Sequence, residues 1–277
     1  MPSHLVLSTE NYQEETGTIK LDFPYNQDFK NNQVAVANIS LYNSFGNVSS
    51  LLGNNKFSIY FPDNLGHTKY TFTIPDGFYS MSNFYGFIKE KCDENGLYVN
   101  GTNNTKIYQL VLAENSAYQS IIFFKNLPVN ASQNIPDNAT WTLPNDLNRK
   151  PYVDFHTTSL SNIFGFSQTI IGDGTTSIHE NDRTPTPRNI NSLILTSNLL
   201  SDKRGFSQKS DILTAVPIGV NFGSVVTKVF PKLEWTDIAE NQYGFLELKF
   251  YDQNLNRVKL LDSNFLIVLA FREKPKK

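Results

Sequence analysis

The chain has 277 residues, and its 24 basic and 26 acidic side chains leave a net charge of −2. A balance this close excludes a phosphate-gripping surface over the whole molecule. Its 21 Phe and 13 Tyr exclude a disordered chain, and a charged fraction of only 18% excludes a long-helix or coiled-coil protein.

Met1 to Glu15 is polar, carrying Glu10, Glu14 and Glu15, and lacks the basic start and apolar stretch of a signal peptide. Intracellular synthesis without secretion is the expectation. From Gly17 onward the dominant period is two. Ile19, Leu21 and Phe23 alternate with Lys20 and Asp22, which predicts a strand with one face buried over Gly17 to Phe23. Val34 to Leu41 is apolar on both faces and predicts a central strand over Gln33 to Leu41. Phe57, Ile59 and Phe61, then Tyr70, Phe72 and Ile74, repeat the alternation on either side of Pro62-Asp63-Asn64. Asn, Asp and Gly supply turn conformations here, at Pro75-Asp76-Gly77 and at Gly172-Asp173-Gly174.

One helix interrupts the strands. Phe84, Phe87, Ile88 and Cys92 fall on a single helical stripe, with Ser80 or Ser82 as cap and Asn95-Gly96 as stop. Asn126 to Pro151 reads as a long excursion and His179 to Asn189 as an exposed loop. Ile121 to Phe124 and Leu193 to Leu195 are again apolar on both faces, and Ser210 to Val220 fits a strand or a helical turn. Strands close the chain at Phe245 to Tyr251 and Phe265 to Phe271, the latter the longest apolar run and far short of a membrane span. The sum is an all-β antiparallel sandwich or barrel with more strands than a minimal jelly roll. No linker divides the chain, so one domain over 1–277 is expected, with an insertion around 100–166.

Chemistry is hard to find. Cys92 is the sole cysteine, which excludes an intrachain disulfide and a cysteine zinc site. His4, His67, His156 and His179 share no metal-ligand spacing. Gly172-Asp173-Gly174 lacks the third glycine and following helix of a dinucleotide fingerprint. Asp211, Asp237 and Asp252 are scattered carboxylates. No catalytic residue, cofactor site or metal site is expected, and the chain is read as not an enzyme. Tyr79, Tyr85 and Tyr118 near turns keep open a carbohydrate- or receptor-binding sandwich such as a trimeric fibre head. Arg272, Lys274, Lys276 and Lys277 give the C-terminal segment at most a weak nucleic-acid contact.

The order of segments is more telling than any single motif. "GTIKLDFPYNQDFKNNQVAVANISLYNSFGNVS" (Gly17 to Ser49) and "NKFSIYF" (Asn55 to Phe61) come first. "YTFTIPDGFYSMSNFYGFIKEKCDENG" (Tyr70 to Gly96), "LSNIFGF" (Leu160 to Phe166) and "NINSLILTSNLLSD" (Asn189 to Asp202) follow. The chain closes with Phe230 to Phe271. This order resembles the minor capsid, or penton, proteins of virophages and of related polinton (Maverick) and adintovirus-like elements. It departs from them at Asn32 and Gln33, where an aromatic is missing, and at Asp252-Gln253-Asn254-Leu255, which replaces an Asp-x-x-Gly turn. The resemblance implies a single jelly roll with extra strands or an insertion and one short helix. It implies a homopentamer at the vertices of an icosahedral virion, partnered by itself and by a double-jelly-roll major capsid protein, with no membrane partner. Tyr25, Asn26, Arg183, Arg188 and Trp235 are the candidate interface residues.

Overall fold

A computed structural model describes residues 2–114, 119–186, 190–200 and 211–275. In chain order its longer elements are β1 (Ser3–Ser8), β2 (Thr18–Asp28), β3 (Asn32–Tyr42), β4 (Lys56–Asp63) and β5 (Gly66–Thr73). Next come α1 (Met81–Glu94), β6 (Leu110–Glu114), β7 (Ser120–Phe124), β8 (Tyr152–Asp154), α2 (Thr158–Ile163) and β9 (Ile178–Glu180). The last are β10 (Ser192–Ser197), β11 (Ile212–Pro217), β12 (Val225–Val229), β13 (Gln242–Tyr251) and β14 (Phe265–Glu273). They form two compact units, one from 1–46 with 190–277 and one from 47–189.

The first unit is a jelly roll, and its pairing shows why. β1 pairs with β14, β2 with β13, β3 with β12, and β10 with β11, all antiparallel. First therefore meets last, and each later strand meets its mirror position along the chain. Ladders between β14 and β3 and between β10 and β13 join these pairs into two sheets, β1-β14-β3-β12 and β2-β13-β10-β11. A long hairpin folded over in this way yields the two Greek keys of a jelly roll. Alternation decides what enters the core: Ile19 on β2, Leu246, Leu248 and Phe250 on β13, and Ile267 and Leu269 on β14 are all buried between the sheets. Period-two patterning is the reason, since successive side chains point to opposite faces.

Two differences from the sequence reading arise here. The polar N-terminal stretch contains β1, which completes a sheet edge and buries Leu7 completely. Its three-residue apolar stretch, Leu5 to Leu7, is too short to stand out, and only the ladder to β14 reveals it. Within Ser210 to Val220, Ile212–Pro217 is a strand, while Ser210 lies outside the described residues.

The second unit runs from Asn47 to Asn189, between β3 and β10 in the chain. It is wider than the expected insertion around 100–166, because β4, β5 and α1 also belong to it. Their runs pattern like those of the jelly roll, so only the contacts separate them. One sheet has the order β5-β4-β8 with the short strand Ile170–Ile171 at its edge; another is β9-β7-β6. α1 is capped by Ser80, whose Oγ accepts the Asn83 N–H at 3.2 Å, and Gly96 follows its end at a φ of 63°. Its stripe buries Met81, Phe84, Ile88 and Cys92 in a core of their own with Phe57, Phe155 and Phe164. Phe87, expected in that buried stripe, is only partly buried, and its ring meets Phe57 and Tyr79 edge-on. A second helix, α2, was not expected; Thr157 caps it with a hydroxyl that accepts the Leu160 N–H. The Asn126 to Pro151 excursion carries core residues, since Trp141 is buried and donates Nε1–H to the Gly96 carbonyl at 2.7 Å. His179 and Glu180, expected in a loop, belong to β9 and pair with β7.

Candidate assembly surface

Polar chemistry in the described residues is structural in character. Ser58 Oγ lies 2.7 Å from His156 Nε2, the spacing of a nucleophile and its base. Yet Ser58 is fully buried and shares its oxygen with Thr71 at 2.9 Å, so no substrate atom can reach it. Asp154 accepts the backbone N–H of His156 and shapes a turn in which His156 takes a φ of 59°. His67 Nε2 donates to the Lys150 carbonyl at 2.8 Å. Among the described residues no group of His, Cys, Asp and Glu side chains could hold a metal ion. Burial pushes the Cys92 thiol up to about 12, so it stays protonated and inert near neutral pH. The three scattered aspartates do not converge. Asp252 accepts the N–H groups of Asn254 and Asn256 at 2.8 Å beyond the end of β13, while Asp237 pairs with Gln33 and Lys274 at the opposite end of the sandwich. Asp211 immediately precedes β11, and its backbone carbonyl accepts the Ser197 N–H.

The expected interface residues spread over both units. Tyr25 stands 82% exposed near the end of β2, with Asn26 beside it. Across the ladder, Gly244 occupies a register break in β13, where a Cβ would sit 3.2 Å from the Asn26 side-chain oxygen. Trp235 is half-buried at the same end of the sandwich, and its ring is covered by the Arg272 guanidinium at 4.2 Å. Arg272 Nε donates to Gln33 Oε1 at 2.9 Å, and Gln33 Nε2 donates to Asp237 at 2.7 Å. Lys274 also pairs with Asp237. Trp235 thus belongs to a tied network rather than standing open. Arg183 lies in the second unit, with its N–H bonded to the Gly165 carbonyl. Arg188 is outside the described residues.

Composition did not single out the surface that the register exposes. Side chains directly opposite in an antiparallel ladder share a face. Val6 stands opposite Val268, which stands opposite Asn38, which stands opposite Val229. The next rows join Leu266, Ser40 and Thr227, then Tyr42 and Val225. This outer face of β1-β14-β3-β12 leaves Val6 56%, Val229 61% and Val225 47% exposed. Asn38 Oδ1, in its middle, is buried without a hydrogen-bond partner among the described residues. The doubly apolar runs Val34 to Leu41 and Phe265 to Phe271 were the sequence signals pointing here.

The tyrosines considered as sugar platforms are otherwise engaged. Tyr79 lies edge-on to Phe84 and Phe87 and donates its hydroxyl to the Pro75 carbonyl, and Lys89 sits over the Tyr85 ring at 4.7 Å. Tyr118 is outside the described residues. Among the described residues no helix is long and apolar enough to cross a membrane.

No family model matches the chain, and no curated protein matches it. Among solved structures it is similar to the penton protein of mavirus, at 11% identity, covering 98% of this chain and 96% of that one with a TM-score of 0.40.

Proposed function

We propose that this protein is a structural capsid subunit, a penton protein that closes the vertices of an icosahedral virion as a homopentamer. The supporting observation is the outer face of β1-β14-β3-β12, where exposed Val6, Val225, Val229, Leu266 and Tyr42 stand among the polar Asn38, Ser40 and Thr227 on a jelly roll. The order of segments that resembles penton proteins points the same way. Exposed apolar side chains gathered on one sheet face are liabilities in a monomer and are covered by assembly. A ring of identical head-to-tail contacts closes by rotation and leaves no ends to grow. The partners under this reading are further copies of the chain and a double-jelly-roll major capsid protein, and the site of action is the virion. No catalysis is part of the reading.

The test is imaging of particles assembled from this chain and its major capsid protein, with Val229→Asp in parallel. Fivefold density for the chain at the vertices, lost in a variant that still folds, is the expected result. Vertices filled by another protein would overturn the proposal.

A further inference from the structure

The jelly roll has strand edges that its own chain leaves open. β1 and β12 are the end strands of the path β1-β14-β3-β12. On β12 the hydrogen-bonding phase is fixed at both ends. The Asn43 N–H bonds the Ser224 carbonyl, the Phe230 N–H bonds the Ala37 carbonyl, and the ladder stays in register between them. Antiparallel pairs alternate between bonded and non-bonded positions, so the even-numbered residues of β12 turn their backbone groups toward β3. The N–H and C=O groups of Val225, Thr227 and Val229 therefore point off the sheet, and nothing among the described residues bonds them. The short strand Thr236–Asp237 takes the same side of β3 only further along, at Val34 and Gln33.

The side chains make this edge adhesive. The most exposed apolar residues of the outer face sit on the two end strands, Val6 on β1 and Val225 and Val229 on β12. Lys228 falls on the opposite side of β12, over the Phe230 ring, so the outer row of β12 carries no charge. Other edges are guarded. The free side of β2 carries the Lys20–Asp22 ion pair and Pro24, and β5 carries Lys69. Natural sheets use lysine and proline in this way to stop further strands from adding. The Val-Thr-Val row of β12 has neither.

We propose that β12 of one copy receives β1 of the next, so that the sheet continues from subunit to subunit. The inference rests on the capsid reading and names the contact that forms its ring. Three features select β1 of a second copy as the occupant. It is the other open edge of the same sheet, and its length matches, six residues to five. It brings Val6 onto the face that holds Val225 and Val229, where β-branched side chains pair well across strands. Direction also fits. Every step of β1-β14-β3-β12 is antiparallel, so β1 and β12 run in opposite senses. Rotation about an axis along the strands keeps those senses, and the new junction is antiparallel like the rest. Pairing β12 with β12 satisfies the same backbone groups but is isologous and stops at a dimer.

The test uses particles assembled from the full-length chain and its major capsid protein, imaged and then oxidised with copper phenanthroline. Three double variants pair Val6→Cys with Val225→Cys, Thr227→Cys or Val229→Cys; the native Cys92 is buried and stays out of reach. At least one double variant is expected to cross-link into a reducible ladder ending at five chains, while every single variant stays uncross-linked. Thr227→Pro removes an N–H that points off the sheet, a place where an edge strand tolerates proline. The isolated variant should melt within a few degrees of wild type, while its assembly needs about tenfold more protein. Lys228→Pro removes a bond to β3 and is the control that melts earlier. The cross-linking arm stands whether or not the proline variants fold. Fivefold vertices without a cross-link in any double variant, or Thr227→Pro assembling at the wild-type concentration, would overturn the inference and leave the capsid reading standing. Cross-links from a β12 single variant would also overturn it, since they mean that β12 meets β12. Vertices filled by another protein would overturn both.

Discussion

Leu255 has a φ of 62°, the left-handed region that leucine avoids. It stands in the turn where Asp252 gathers the N–H groups of Asn254 and Asn256, at the place where an Asp-x-x-Gly turn would put glycine. The strain is about 1–2 kcal/mol, against which Leu→Gly loosens the unfolded chain by about 0.4–1 kcal/mol and gives up a half-buried side chain. Leu255→Gly should therefore lie within about 1 kcal/mol of wild type in a denaturant melt, while Leu255→Ile should be clearly less stable, because β-branching worsens a positive φ. Phe84 and Phe87 separate in the same kind of measurement. Phe84 is fully buried and stacks on Phe164 at 4.6 Å, so Phe84→Ala should cost about 3–5 kcal/mol. Phe87 is only partly covered, and its truncation should cost about 1–2 kcal/mol. Equal losses would show that burial has been misassigned along α1. The helix stripe was legible in the sequence; the unequal depth of its phenylalanines was not, since periodicity tells direction and not distance from the surface.

Elements were read best where two signals coincide. β2, β3, β13 and β14 combine alternating or doubly apolar runs with turn residues at their ends; β3, β13 and β14 contain their expected ranges, and β2 begins at Thr18, one residue after its expected start. β1 and α2 carry one signal each, a short apolar run or a lone Thr cap, and both were missed. The turn after Ile171 allows a prediction with a sign. Hydrogen bonds from the Thr176 and Thr175 backbone hold the Asp173 carboxyl far below the usual carboxylate range, and the Ser167 hydroxyl and N–H lower Asp182. Depressed carboxyls contribute order that is complete above the ordinary aspartate range and is lost as pH falls through the lower native value. The Thr175, Thr176 and Ser167 amides should therefore hold their chemical shifts down to about pH 4 and move only below it. Movement at higher pH would mean these bonds are weaker than their geometry.

Over the whole molecule, the two cores do not share a residue. Leu7, Phe250 and Leu269 belong to one, and Phe57, Phe84 and Trp141 to the other. A fragment of residues 47–189 should then fold alone, with a cooperative melt and a β-rich circular dichroism spectrum. A fragment that stays unfolded would show that the jelly roll is required for its stability. Truncating β1 should damage only the other unit, by stripping the partner from one edge of β14 and uncovering part of the core around Leu7.

The sequence by itself determined the class of fold, because period-two burial and turn chemistry are local properties that each segment carries. It also determined the state of Cys92, through its place on the apolar stripe of α1. Tertiary structure alone decided which strand pairs with which, and hence that the first and last strands close one sheet while β4 to β9 build a separate core. Ladder partners more than two hundred residues apart, such as Leu7 and Ile267, leave no trace in either segment.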